Sequence, residues 1–282
     1  MTPASPPSAD SREAGLPPAL LAELDRLASV DRLLVALDFD GTVAPIVDEP
    51  SAARALPEAH AALLALAAMP RTTVALVSGR SLASLAEVAK VPDSVPLVGS
   101  HGLEVRLGDL ADRDDTGALA AGQPAATDSG ELDALRAIVA PLVEAVEGAW
   151  IELKPAGLAV HTRQVDDASA RRLTESVRAA ALAHNPRLTV RRGLDVLEFS
   201  LRDATKADGL EALREAARSD AVLFAGDDVT DEDALAALRP DDVGIKVGTA
   251  ETVAAHRLPD AASMAEALVA LAARRLAAAT VE

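Results

Sequence analysis

The chain has 282 residues, half of them apolar, enough for one large or two medium domains with a sizeable core. A net charge of -17 disfavours nonspecific binding to nucleic acid or an anionic membrane. Three Phe, one Trp and no Tyr leave no stacking platforms for single-stranded bases, and the absence of Cys excludes disulfides and thiol chemistry.

Met1 to Asp10 is rich in Pro, Ser and Ala and lacks the basic and apolar regions of a signal peptide. With no apolar run of membrane-spanning length, the expectation is a disordered tail on a cytoplasmic protein, with a monomer as the default. A short lead-in helix at Leu20 to Leu27 completes this first segment, residues 1–30. Leu33 to Leu37 is a run of five apolar residues and reads as a buried parallel strand. Asp38 and Asp40 follow where that strand ends, in Asp38-Phe39-Asp40-Gly41-Thr42. Ligands bind at the carboxyl ends of strands in open α/β sheets, and two acids one residue apart suit a hard cation with covalent and acid-base chemistry. A polar turn is the plainer reading of either Asp alone.

The α/β rhythm continues with a helix at Pro57 to Met69, a strand at Thr72 to Val77 and a helix at Ser81 to Ala89 capped by Ser78-Gly79-Arg80. A short strand at Pro96 to Gly99 leads into Ser100-His101-Gly102. Gly108 to Gly130 reads as a loop, followed by a helix at Glu131 to Val146. Trp150 to Lys154 and Gly157 to Arg163, joined by Pro155-Ala156, read as an antiparallel hairpin. After a helix at Asp167 to Ala183, Leu188 to Arg192 and Leu194 to Leu201 form a second hairpin around Gly193. From Lys206 the first rhythm resumes: helix Ala207 to Ala217, strand Ala221 to Ala225, helix Asp231 to Leu238, strand Val243 to Val247 and helix Ser263 to Ala278. The pattern is a doubly wound parallel α/β core, residues 31–107 and 202–282, with an inserted α+β module at 108–201.

Four polar groups fall at strand ends or helix starts of the core: Asp38/Asp40/Thr42, Ser78, Lys206, and Gly226-Asp227-Asp228-Val229-Thr230-Asp231. Each alone has an ordinary explanation, a turn, an N-cap, a solvated lysine or a helix N-terminal charge. In this order they resemble the haloacid-dehalogenase superfamily of phosphotransferases. That resemblance implies Asp38 as the nucleophile that forms an aspartyl-phosphate, and Asp40 as the acid that protonates the leaving oxygen and then deprotonates water. It implies Mg²⁺ on the Asp38 carboxylate, the Asp40 carbonyl and the Asp227 side chain. Ser78 and Lys206 bind the phosphoryl oxygens, Thr42 orients Asp40 or touches phosphate, and Asp228 and Asp231 support metal-bound water or Lys206.

The wording around the motifs, with Val77-Ser78-Gly79-Arg80, Gly99 to Glu104, Glu152-Leu153-Lys154 and Leu158 to Arg163, is similar to the trehalose-6-phosphate phosphatase family. There a mobile cap inserted between the second and third motifs recognises the sugar. Strand alternation puts Trp150, Glu152 and Lys154 on one face, and Ala159, His161 and Arg163 together on the next strand. The resemblance then implies Glu152, Lys154 and Glu198 on the distal glucose, with His161 and Arg163 as further candidates and Arg80 and His101 at the core-cap boundary. From spacing alone the module's charges read equally as a solvated, ion-paired face. His60, His184 and His256 fall on or beside expected helices and receive no role. The implied reaction is Mg²⁺-dependent hydrolysis of trehalose 6-phosphate. Alternatives are another sugar phosphatase of the superfamily, acting on sucrose phosphate or mannosylphosphoglycerate, and a non-catalytic phosphosugar sensor.

Overall fold

The computed structural model describes residues 15–113, 126–154, 156–201 and 204–280. The expected tail at Met1 to Asp10, Pro155 of the first hairpin turn and part of the expected loop between Gly108 and Gly130 lie outside the described residues. The chain separates into two compact units, Met1–Leu119 with Thr205–Glu282, and Ala120–Ala204.

The first unit is built on a seven-stranded sheet of order β11-β10-β9-β1-β2-β3-β4. Its strands are β1 (Leu33–Leu37), β2 (Thr72–Val77), β3 (Leu97–Gly99), β4 (Glu104–Arg106), β9 (Ala221–Gly226), β10 (Val243–Val247) and β11 (His256–Leu258). All neighbours are parallel except β3 and β4. Every residue of β1 is buried, because both sheet faces are covered. On one face Leu33, Val35 and Leu37 pack with α1 (Pro18–Ala28), α2 (Pro57–Ala67), α3 (Leu82–Ala89) and α8 (Ala261–Ala279). On the other, Leu34 and Ala36 pack with α6 (Lys206–Ala217) and α7 (Asp231–Ala236). Buried Arg275 of α8 donates to the Val30 and Arg71 carbonyls at 2.7 and 3.0 Å, so it ties the chain entries to β1 and β2 together.

Strand order reverses about β1, which lies between β9 and β2. The carboxyl ends of these three strands therefore flank a topological switch point, where open α/β sheets bind ligands. The short turn Gly108–Arg113 belongs to this unit, since Leu110 packs on Ala216 and Ala217 of α6. Two edge strands were not expected, β4 and β11, and His256 lies in β11 rather than on a helix.

The second unit has an antiparallel sheet of order β5-β6-β8-β7, from β5 (Trp150–Lys154), β6 (Gly157–His161), β7 (Thr189–Gly193) and β8 (Val196–Ser200). Leu158, Val160, Leu197 and Phe199 on one face bury against α4 (Ala126–Glu144) and α5 (Asp167–His184). The α4 helix begins five residues before its expected start at Glu131. Gly193 sits in β7, and the second hairpin turns one residue later at Leu194-Asp195, where Asp195 takes a left-handed φ of 56°.

The candidate active site at the carboxyl ends of β1, β2 and β9

Asp38 follows β1 directly, and its N–H donates to the Ala225 carbonyl of β9 at 2.9 Å. Lys206 opens α6, where a capping box between Thr205 and Asp208 sets the helix start. From there its buried ammonium reaches Asp38 Oδ1 at 2.7 Å and Asp231 Oδ1 at 2.6 Å. Asp231, in turn, accepts from the Asp228 N–H at 2.8 Å. A buried ammonium is tolerable only with such partners. Burial works to lower the Lys206 pKa, but the two carboxylates outweigh it and raise it above the ordinary lysine value.

Asp38, Asp227 and Asp231 place ligand oxygens within 4.8 Å of one another. Burial raises the Asp38 pKa well above the usual carboxylate range, with the charges of Asp231 and Asp227 adding to it and Lys206 opposing. Burial and the Asp231 charge likewise push Asp227 up to about 6. Three carboxylates around one ammonium thus lack positive charge. Thr42 Oγ1, fully buried beside them in sequence, has no hydrogen-bond partner among the described residues, which costs about 1–3 kcal/mol. A hard divalent cation and a bound oxyanion fit such a donor set. The glycines of the motifs permit this crowding. Gly41 has φ 80° and a Cβ there would overlap the Asp227 carboxylate; a Cβ on Gly226 would overlap Asp231.

Asp40 is held differently from the sequence-based expectation. Arg80 grips it with both arms, Nε to Oδ2 at 2.5 Å and Nη2 to Oδ1 at 2.7 Å, while Nη1 reaches Ser84 Oγ at 3.3 Å. Arg80, expected at the core-cap boundary, is thus a partner of the second acid. Ser78 does not cap α3: Ser81 does, accepting from Ser84 N–H at 3.3 Å. Ser78 Oγ instead accepts from the Arg80 N–H at 3.1 Å, and the serine stays buried at the end of β2. The His101 ring lies against Gly79, where it would collide with any Cβ, and the His101 backbone N–H donates to the Ser78 carbonyl at 3.1 Å. Asp228 is exposed and contributes its backbone, so the carboxylate group is completed by Asp231 instead.

Two supporting residues were missed. Lys246, fully buried in β10, donates to the Asp228 carbonyl at 3.0 Å and to Glu232 Oε1 at 2.9 Å. Glu232 also accepts from Val253 N–H at 3.0 Å, which joins the Asp227-Asp228 turn to the segment after β10. A lone lysine inside the apolar run Val243 to Val247 was the available signal. A cleft of about 610 Å³ opens beside Asp227, lined also by Gly41, Ile46, Thr249 and Asp260.

In the second unit the register aligns Glu152, Ala159, Glu198 and Arg191 across four strands on the face away from the helices. Lys154 pairs with Glu198 at 3.0 Å, both nearly buried, and His161 Nε2 meets Glu152 at 3.0 Å. The His161 bond lowers the Glu152 pKa, against burial and with help from Lys154. Arg163 does not extend this face. Pairing ends at His161, opposite Val196, because the Thr162 N–H closes on the Asp195 carbonyl and the chain turns. Arg163 lies exposed in that turn.

The doubly wound core, the antiparallel second unit and the Asp-Ser-Lys-Asp order define a haloacid-dehalogenase-like α/β protein. Within that class, the trehalose-phosphatase family model matches residues 36–265, and the chain belongs to that family. A Mycobacterium tuberculosis protein described as an uncharacterized glycosyl hydrolase is 38% identical over 251 residues, covering 85% of this chain and 18% of that protein. Trehalose-phosphate phosphatase of Mycobacterium marinum is 33% identical over 272 residues, covering 91% of this chain and 66% of its own. The chain therefore spans less than two thirds of either relative. The C-terminal domain of C. albicans trehalose-6-phosphate phosphatase superposes with a TM-score of 0.73 at 23% identity, covering 91% and 96% of the two chains, which shows the shared fold.

Proposed function

We propose that this protein hydrolyses trehalose 6-phosphate to trehalose and phosphate, with Mg²⁺ held by Asp38, Asp227 and the carbonyl of Asp40. The observation that carries the reading is the buried Asp38–Lys206–Asp231 chain with Asp227 against it. Bound Mg²⁺ would supply the positive charge that lets an anionic ester approach these carboxylates. Asp38 attacks phosphorus and becomes an aspartyl-phosphate, and the P–O bond to the sugar breaks. Asp40 gives its proton to the leaving sugar oxygen, then takes one from the water that cleaves the acyl phosphate and regenerates Asp38. Lys206 and Ser78 bind the phosphoryl oxygens, and Lys206 keeps Asp38 in line. Glu152, Lys154 and Glu198 offer the donors and acceptors that recognise sugar hydroxyls. The reading includes a cytoplasmic setting and a monomer; among the described residues no helix is long and apolar enough to cross a membrane.

Asp38→Asn tests the assignment. The variant should fold, give an unchanged far-UV spectrum and lose turnover and phosphoenzyme formation together. Normal turnover in a preparation free of wild-type enzyme would refute it.

A further inference from the structure

The chain carries four aromatic rings that belong to Phe or Trp, and it buries three of them: Phe39, Phe199 and Phe224 are at most 1% exposed. Trp150 is half exposed, at 50%. A chain so poor in aromatics leaves its largest apolar ring uncovered, forgoing burial that its own core would reward. The position is specific. Trp150 opens the edge strand β5 opposite His161, on the same face as Glu152, Lys154 and Glu198. Its indole stacks on the His161 imidazole, with centroids 3.9 Å apart and planes within 7°. His161 is in turn held by Glu152 at 3.0 Å, so the ring is anchored to a carboxylate of the polar row. Along that row exposure falls from Trp150 through Glu152 and His161, at 30% and 24%, to Lys154 and Glu198, at 7% and 10%. Between the two charged strands β6 presents Gly157 and Ala159 to this face beside His161, a low floor next to taller walls.

We propose that Trp150 is the stacking platform for one pyranose ring of the substrate. A pyranose has a rim of hydroxyls and faces made of C–H bonds. Carboxylates and an ammonium serve the rim, while the indole face covers C–H groups that polar residues would leave unmatched. Trp150 thereby selects for a sugar ring over a small or linear phosphate ester. The inference rests on the proposed function and adds to it the residue that reads the ring's apolar face.

Trp150 is the only tryptophan, so its emission reports this place alone. Trehalose 6-phosphate added with Mg²⁺ to the full-length Asp38→Asn variant, which blocks turnover, should shift the emission saturably, while inorganic phosphate should not. Trp150→Ala should raise KM for trehalose 6-phosphate about tenfold with kcat within about twofold, and Trp150→Phe should keep KM near wild type. Emission unmoved by a sugar phosphate that the enzyme hydrolyses, or an unchanged KM in Trp150→Ala, would overturn the proposal. So would emission that follows protein concentration instead of sugar, which would make Trp150 a contact between copies. If emission responds but no ester is hydrolysed, the reaction assigned above fails while the platform stands.

Discussion

The pairing of Arg80 with Asp40 divides the labour of the two acids. Asp38 faces Lys206 in a buried setting, and Asp40 faces a guanidinium through both its oxygens. A bidentate fork fixes where both oxygens of Asp40 point, and one of them must leave the fork before Asp40 can carry a proton to a leaving oxygen. Arg80→Met should therefore lower kcat/KM for a sugar phosphate about tenfold or more, and lower it less for p-nitrophenyl phosphate, whose leaving group needs little protonation. Equal losses on both esters would remove Arg80 from that role. Glu152 gives a pH signature in the second unit. Its pKa is lowered in the fold, so its contribution to stability is present above the unfolded value, about 4.3, and is lost as pH falls through the lower folded value. Thermal unfolding of wild type and Glu152→Gln should differ at about pH 7 and converge as the pH is taken below the lowered folded value. At this scale the sequence exposed the identity of the acids, the lysine and the motif glycines. It did not expose the Arg80–Asp40 pair, because forty residues separate them and nothing local records their meeting.

Elements carried the chemistry to its place, and their interiors were more legible than their ends. Buried runs such as Leu33 to Leu37 and Thr72 to Val77 announce central parallel strands. Three-residue edge strands such as β4 and β11 have no periodicity to read, and exist because a neighbouring strand offers its edge. The loss of Arg163 from the polar face has the same origin: β6 ends where its partner β8 begins, which is a pairing fact. Lys246 shows how an element supports the site from below. Lys246→Met would leave the half-buried Glu232 without its ammonium and should cost about 2–3 kcal/mol. It should also weaken Mg²⁺ binding, because the Asp228 carbonyl loses the donor that steadies the turn carrying Asp227. Denaturant unfolding and a Mg²⁺ titration of the same preparation would separate the two effects. Unchanged metal affinity in a folded variant would confine Lys246 to stability.

The charge of the whole molecule opposes the proposed substrate. A net charge of -17 would repel a sugar phosphate at long range, and Lys206, Arg80 and the proposed cation would offset that locally. Salt screens the distant charges more than the buried ones, so KM for trehalose 6-phosphate should fall as KCl rises from about 10 to about 150 mM. A rising KM would place a net positive field at the entrance. The two units keep separate cores, one around the central sheet and one between the antiparallel sheet and its helices. The reaction is assigned from residues of the first and the substrate from residues of the second. Both assignments meet in one measurement: phosphate release from a panel of sugar phosphates and p-nitrophenyl phosphate, with Mg²⁺ and with EDTA. Release should require Mg²⁺ and be fastest, by kcat/KM, with trehalose 6-phosphate. No release from any ester with Mg²⁺ present, or release undiminished by EDTA, would contradict this expectation.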